Sequence, residues 1–157
     1  MKFAHTVERR VEFAETDMAG LVHFTNFFRY VELAEAEFFE DLGLPLIYAN
    51  RLESKGWPRV RVQCNYSQPL YFRDRIEITI YVKAIKIKAI EWGFRVFRLE
   101  DDGSKKRAAK GSFTTVHVMK NNTDPGMTSL ELPEELLSKI EEAPADFKGG
   151  LASRSPA

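Results

Sequence analysis

A single cysteine in 157 residues, Cys64, rules out an internal disulfide and any site built from several cysteines. No apolar run approaches the ~20 residues that a membrane-spanning helix requires. The opening MKFAHTVERR also has no apolar stretch of the kind found in a secretory leader. An excess of either charge is missing too. Lys+Arg and Asp+Glu each number 23, so no overall field draws the chain to nucleic acid or to an anionic membrane. The histidines, His5, His23 and His117, lie far apart and lack the spacing of metal ligands. The expectation from these absences is a soluble, cytoplasmic protein with no metal, no cofactor, no nucleic-acid partner and no membrane partner. What remains is an ordinary globular composition, 44% hydrophobic and 29% charged, about one domain in length.

The periodicity changes twice along the chain. Residues 5–13, HTVERRVEF, alternate as a strand does, and AETDMAGLVHFTN then reads as a turn and connecting loop. From Asn26 to Leu42 the apolar residues Phe27, Tyr30, Val31, Ala34, Phe38 and Leu42 recur at three- and four-residue intervals, which puts them on one stripe of a helix. Arg29, Glu32 and Glu40 fall on the opposite side, and Gly43 with Pro45 ends the helix. Phe28 and Phe39 widen the apolar surface, so this helix should be partly wrapped by other structure. Glu35 is the misfit: at ~100° per residue it projects between Phe28 and Leu42 and is expected at the margin of the stripe, reaching solvent.

Residues 44–56 read as a helical turn and loop. After Pro58 come long alternating strands: RVRVQCNYS, DRIEITIYVKAIKIK with Ile76, Ile78 and Ile80 on one face, and AIEWGFRVFRLE. Asp101-Asp102-Gly103-Ser104 marks a hairpin turn into KKRAAKGSFTTVHVMK, the last strand. Cys64 lies within such an alternation and is expected as a packed thiol; His5 and His117 lie on strands and look structural. LPEELLSKIEE suits a short helix, and residues 143–157 are expected to be a disordered tail behind a single domain spanning 1–142. One helix segregated to a face of antiparallel strands is an α+β arrangement.

The stretch FAETDMAGLVHFTNFFRY carries the chemistry. Asp17 stands three residues before Gly20. Leu21-Val22 and Phe24 follow, then Asn26 and the aromatic Phe27 at the helix start. This spacing resembles the signature of the 4-hydroxybenzoyl-CoA thioesterase-like hot-dog enzymes. The resemblance continues through Gly43-Leu44-Pro45, NYSQPLYFRD and GSFTTVHV, about residues 5 to 140 in all. It implies a hot-dog fold, a long central helix wrapped by a curved antiparallel sheet. It also implies hydrolysis of an acyl-CoA with an aromatic or short-to-medium acyl group. Thioester hydrolysis needs an attacking group on one side of the carbonyl and donors for the developing oxyanion on the other. A carboxylate in the loop before a helix supplies the first, and the unpaired N–H groups of a helix start supply the second.

The resemblance gives Asp17 the role of nucleophile or general base, and the backbone N–H of Phe24 that of oxyanion donor. Gly20 would let the loop bring Asp17 close to the same carbonyl. His23 is variable in the family, and a hydrogen-bonded structural role suits it better than that of a base. Asn26 either caps the helix or holds a water near the thioester. Phe27 is either a wall of the acyl pocket or core. Glu35 departs from the loop-Asp relatives, which often carry a basic residue near this position; other relatives place their essential carboxylate on the central helix, so Glu35 is a candidate for acyl selectivity or a second carboxylate. Lys83, Lys86 and Lys88, around the turn between two long strands, are expected to meet the phosphates of CoA, with Arg59 and Arg61 weaker candidates. Hot-dog subunits usually pair side by side, which implies a homodimer or dimer of dimers with the site across the interface. An acyl-carrier-protein thioesterase, a non-hydrolytic acyl-CoA-binding protein and a dehydratase on the same fold are the competing readings. The last is disfavoured because the motif does not resemble its His-and-acid arrangement.

Overall fold

The structure, a computed structural model, describes residues 1–121, 123 and 126–150. The first strand is β1 (Ala4–Arg10), followed by a single 3-10 turn over Phe13–Glu15 and the long helix α1 (Asn26–Asp41). Two short strands come next, β2 (Tyr48–Ala49) and β3 (Glu53–Gly56). Then follow the long strands β4 (Arg59–Tyr66), β5 (Arg75–Ile85), β6 (Ala89–Leu99) and β7 (Lys105–Val116). The chain ends with β8 (Val118–Asn121), β9 (Met127–Ser129) and two short helices, α2 (Glu134–Leu137) and α3 (Ala145–Lys148).

The main sheet is antiparallel with the order β1-β5-β6-β7-β4, and α1 packs across its β1–β5 side. This is the hot-dog arrangement expected from the sequence. The helical stripe behaves as its spacing requires: Tyr30, Ala34 and Phe38 are wholly buried, and Phe27 and Val31 nearly so. Opposite them stand Ile76, Ile78 and Ile80, alternate residues of β5 that all lose their solvent contact. Trp92 joins helix to sheet. Its ring meets Phe38 edge-on at 5.1 Å and stacks on Phe113 at 5.9 Å, while its Nε1–H donates to the Thr115 hydroxyl at 3.0 Å.

Three expectations are corrected. Residues 44–56 are not a helical turn: β2 and β3 form a hairpin that joins β8 and β9 in a second sheet of order β2-β3-β8-β9. Strands of two and four residues are too short to display a period, which is why they read as loop. The single last strand is broken at His117, where β7 ends and β8 enters the small sheet. His117 is buried there, its Nδ1 2.8 Å from the Glu131 carbonyl and its ring stacked on Trp57.

The tail expected to be disordered from 143 is ordered through 150; residues 151–157 lie outside the described residues. The Phe147 ring packs edge-on against Phe3 at 5.1 Å and Tyr81 at 5.5 Å, and Arg95 donates to the Phe147 carbonyl. The Ala143 N–H, donating to the Val82 carbonyl at 2.8 Å, holds the start of the same segment.

β4 is the exposed edge of the main sheet. Its pairing with β7 brings the chains close at Gly111, where an added Cβ would lie 2.0 Å from the Gln63 carbonyl oxygen. Gly111→Ala should therefore push the edge strand away and cost about 1–3 kcal/mol. The check is the midpoint of chemical denaturation, and an unchanged midpoint would show that β4 yields freely.

Candidate active site

The loop from β1 to α1 is organised around Glu15. Its buried side chain accepts from the Glu12 N–H at 2.7 Å and pairs with Arg9 at 3.1 Å. Its backbone carbonyl accepts twice, from the His23 N–H at 3.0 Å and from the Asn26 side-chain amide at 2.7 Å. The ring of buried Tyr30 lies beneath the Arg9 guanidinium at 5.0 Å, and burial followed by the nearby Glu15 carboxylate pushes its phenol upward, so it stays protonated.

On this base the chain makes a tight turn. The Gly20 N–H donates to the Asp17 carbonyl at 3.0 Å, the Asp17 N–H to the Leu21 carbonyl at 2.8 Å, and the Ala19 N–H to Asp17 Oδ1 at 2.8 Å. Gly20 takes φ +80°, a conformation that a side chain would strain. Asp17 is thereby held exposed at the tip, its Oδ1 fixed by one backbone donor. The Val22 N–H then bonds the Leu70 carbonyl at 2.8 Å, tying the returning chain to the segment after β4.

Phe24 ends this return. Its N–H has no hydrogen-bond acceptor among the described residues, the residue is 59% exposed, and its carbonyl accepts from the Tyr66 hydroxyl at 3.0 Å. An unpaired N–H two residues before a sixteen-residue helix sits where the helix places partial positive charge. Leu21, Val22, Phe24, Phe27 and Tyr66 line a shallow apolar depression beside it.

The expected residues therefore sort as follows. Asp17, Gly20, His23, Phe24 and Asn26 come together in one loop and helix start. His23 Nδ1 lies 2.7 Å from the Thr25 hydroxyl, and its ring packs on Phe24 at 4.6 Å. Asn26 does not cap the helix. Thr25 occupies the capping position, and the Asn26 amide is spent on the Glu15 carbonyl. Phe27 is almost wholly buried, edge-on to Tyr66 at 5.0 Å, and forms the floor of the depression.

The three lysines do not form one cluster. Lys86 and Lys88 flank the β5–β6 turn, with Lys86 3.7 Å from Glu91 and Lys88 3.4 Å from the Ser129 carbonyl. Lys83 instead lines a hollow with Arg95, Arg107, Lys110 and Lys148. Cys64 is half-buried, and burial raises its thiol, which fits a packed group.

Glu35 is the largest correction. It does not reach solvent: its side chain is 1% exposed and takes a hydrogen bond from Arg59 of β4. The helical wheel placed it at the margin of the stripe, and Trp57, Pro58 and Arg59 lie beside that margin. Burial raises its carboxyl from 4.5 to about 7, against the pull of Arg59. Arg59 is thus engaged with a carboxylate and stacked over Phe113, not held for phosphate. Glu15 and Tyr66 escaped the sequence reading, and Arg59 entered it only as a weaker candidate for phosphate. Only Glu15, an acidic residue where the strand pattern breaks, left any local trace.

Comparison with known proteins places the chain in a family. Residues 11–148 fit the model of the thioesterase-like superfamily. The chain belongs to that family. It is 37% identical over 87 residues to a 1,4-dihydroxy-2-naphthoyl-CoA hydrolase of Prochlorococcus marinus, covering 50% of this chain and 57% of that one. It is 24% identical to the 4-hydroxybenzoyl-CoA thioesterase of Pseudomonas sp. strain CBS-3, over 84% of this chain and 94% of the relative. Among solved structures, a D17N mutant of 4-hydroxybenzoyl-CoA thioesterase complexed with 4-hydroxybenzoyl-CoA superposes with a TM-score of 0.76. It shares 20% identity and covers 87% of this chain and 98% of its own. The thioester-hydrolase reading and the hot-dog fold both stand on these matches.

The raised carboxyl of Glu35 has a measurable consequence. Between 4.5 and about 7 the folded chain holds a proton that the unfolded chain has released, so this group makes the fold less stable as pH rises through that window. Glu35→Gln should remove this loss. Relative to the wild type it should gain on the order of 2 kcal/mol on going from about pH 5 to about pH 8. Thermal melts of both proteins across that range test it; parallel curves would mean that Glu35 is ionised throughout.

Proposed function

We propose that the protein hydrolyses acyl-CoA thioesters, with Asp17 as the carboxylate that attacks the thioester or activates water and the Phe24 N–H as the oxyanion donor. The observation that carries this reading is the unpaired Phe24 N–H at the start of α1, presented from the same loop that exposes Asp17. One such donor is worth about 3–4 kcal/mol to the transition state. Gly20 shapes the turn, Asn26 and His23 hold the loop to the helix, and the depression over Phe27 receives the first part of the acyl chain. The exposed Asp17 carboxylate suits either attack on the carbonyl or removal of a proton from water. The aryl-CoA substrates in the names of the relatives favour an aromatic or short-to-medium acyl group.

Lys86 and Lys88, on an exposed turn, are the proposed contacts for the phosphates of CoA; Lys83, in its separate hollow, supports this less. No helix among the described residues is long and apolar enough to cross a membrane, and a cytoplasmic location belongs to the same proposal. Self-association completes it. Among the described residues β4 has a neighbour on one side only; Val60 is 63% and Val62 48% exposed on it, and Tyr66 and Phe24 are exposed near its end. A second copy paired along β4 would cover this edge and the site beside it, as a homodimer or within a dimer of dimers. A binding-only protein is the second reading, and it has no use for an exposed carboxylate beside an unpaired oxyanion donor.

Release of free thiol from a panel of acyl-CoAs tests the chemistry. Asp17→Ala and Asp17→Asn should each lose at least about a hundredfold in kcat; undiminished turnover in both would reject the assignment. Lys86→Ala with Lys88→Ala should raise KM for acyl-CoA more than for a thioester without the nucleotide, and the more so at low salt. Equal effects on the two substrates would count against phosphate contact. Sedimentation of a stable monomer would contradict the paired edge.

A further inference from the structure

Tyr66, the last residue of β4, stands outside the reactive loop and has no part in the chemistry proposed above. Its hydroxyl nevertheless donates to the Phe24 carbonyl at 3.0 Å, and its ring walls the depression over Phe27.

The groups flanking Phe24 are held from within their own segment. The His23 N–H donates to the Glu15 carbonyl, and the Asn26 N–H donates to the His23 carbonyl at 2.9 Å, closing a turn with Phe24 and Thr25 at its centre. Thr25 is tied to His23 as well, its hydroxyl 2.7 Å from Nδ1. Phe24 itself is different. Its N–H is unpaired, and no backbone N–H among the described residues donates to its carbonyl. Among the described residues, the bond from Tyr66 is therefore the one hydrogen bond that Phe24 makes, and the one that joins this turn to a strand of the main sheet. Glu15 sets the turn against the loop that carries Asp17; Tyr66 sets it against the sheet.

The side chain suits this task. Its ring meets Phe27 edge-on at 5.0 Å, which limits the directions in which the hydroxyl can point. Burial, and then the Cys64 thiol beside it, push the phenol up to about 12, so it keeps its proton and stays a donor at neutral pH.

We propose that Tyr66 is a positioning residue for the oxyanion donor: through the Phe24 carbonyl it fixes where the Phe24 N–H meets a thioester lying in the depression. The inference rests on the hydrolase reading above. Such a donor stabilises the transition state when it stands about 2.7–3.1 Å from the place the oxyanion will occupy, and the ground-state carbonyl gains less from it. Releasing the turn from the sheet therefore weakens binding of the transition state more than binding of the substrate, and the loss falls on kcat. The Tyr66 ring, as a wall of the depression, touches both states alike, so its removal falls on KM. Hydroxyl and ring thus have separable kinetic signatures.

The test separates them with two variants in an acyl-CoA hydrolysis assay. Tyr66→Phe removes the hydroxyl and keeps the ring; it should lower kcat about tenfold and leave KM within about twofold. Tyr66→Leu removes both, and should show the same loss in kcat with a raised KM. Tyr66 is 45% exposed and the first variant deletes one surface atom, so it should melt close to the wild type. Wild-type kcat in Tyr66→Phe overturns the inference, since the ring alone would then account for any loss in Tyr66→Leu. Binding of a dethia acyl-CoA, which keeps the carbonyl but has CH2 in place of the sulfur and is not hydrolysed, supplies the second readout. Tyr66→Phe should bind it within about twofold of the wild type. Binding weakened as much as kcat/KM would mean that the hydroxyl holds substrate and transition state equally, and overturns the positioning role. A wild type that hydrolyses no acyl-CoA overturns the hydrolase reading itself, whereas hydrolysis indifferent to the Tyr66 hydroxyl overturns this inference alone.

Discussion

A single peptide carbonyl, that of Glu15, accepts hydrogen bonds from both the His23 N–H and the Asn26 side chain, and the geometry of the reactive loop depends on it. Residues 16–22 leave and return between these two bonds, so their excursion is closed at its base and its tip is free to project Asp17. The same bonds occupy the amide of Asn26 and orient the start of α1, leaving the Phe24 N–H unclaimed. The Glu15 side chain holds the entry of the loop through Glu12 and Arg9, so backbone and side chain of one residue act on both ends. Removing the Asn26 amide would leave that carbonyl the His23 N–H alone, a loss of one hydrogen bond, about 0.5–1.5 kcal/mol, felt at the site and not only in the core.

Much of this was legible in the sequence, for a physical reason. A helix enclosed by a sheet must be apolar on more than one side, and the aromatic surplus at Phe28 and Phe39 reported that enclosure. β5 disclosed itself through the Ile76-Ile78-Ile80 alternation because one of its faces meets α1 and the other meets different partners. The loop motif placed Asp17, Gly20, Phe24 and Asn26 side by side because they are neighbours in the chain. Their contacts were not legible: that Asn26 serves Glu15 instead of capping the helix depends on where the loop returns.

What failed was whatever depends on contact between distant segments. Glu35 was expected in solvent because a helical wheel knows one helix, whereas its burial is decided by Arg59, far along the chain on β4. Lys83 was grouped with Lys86 and Lys88 by nearness in sequence, but a strand sends neighbouring side chains to opposite faces, and β5 is irregular between Val82 and Ala84. The tail from 143 looked featureless because its anchoring depends on distant partners, Phe3 and Tyr81 for the Phe147 ring and Val82 for the Ala143 N–H.

The Glu35–Arg59 pair also constrains how this chain can change. Replacing the glutamate alone leaves a guanidinium over Phe113 without its carboxylate, and replacing the arginine alone leaves a buried carboxylate with neither oxygen satisfied. The two positions are therefore coupled, and their separate effects will not add. A lineage that exchanged this charged pair for an apolar one would have to cross a less stable intermediate or alter both residues together. Positions 35 and 59 should accordingly vary as a unit among relatives, a signature of inheritance that neither residue would show by itself.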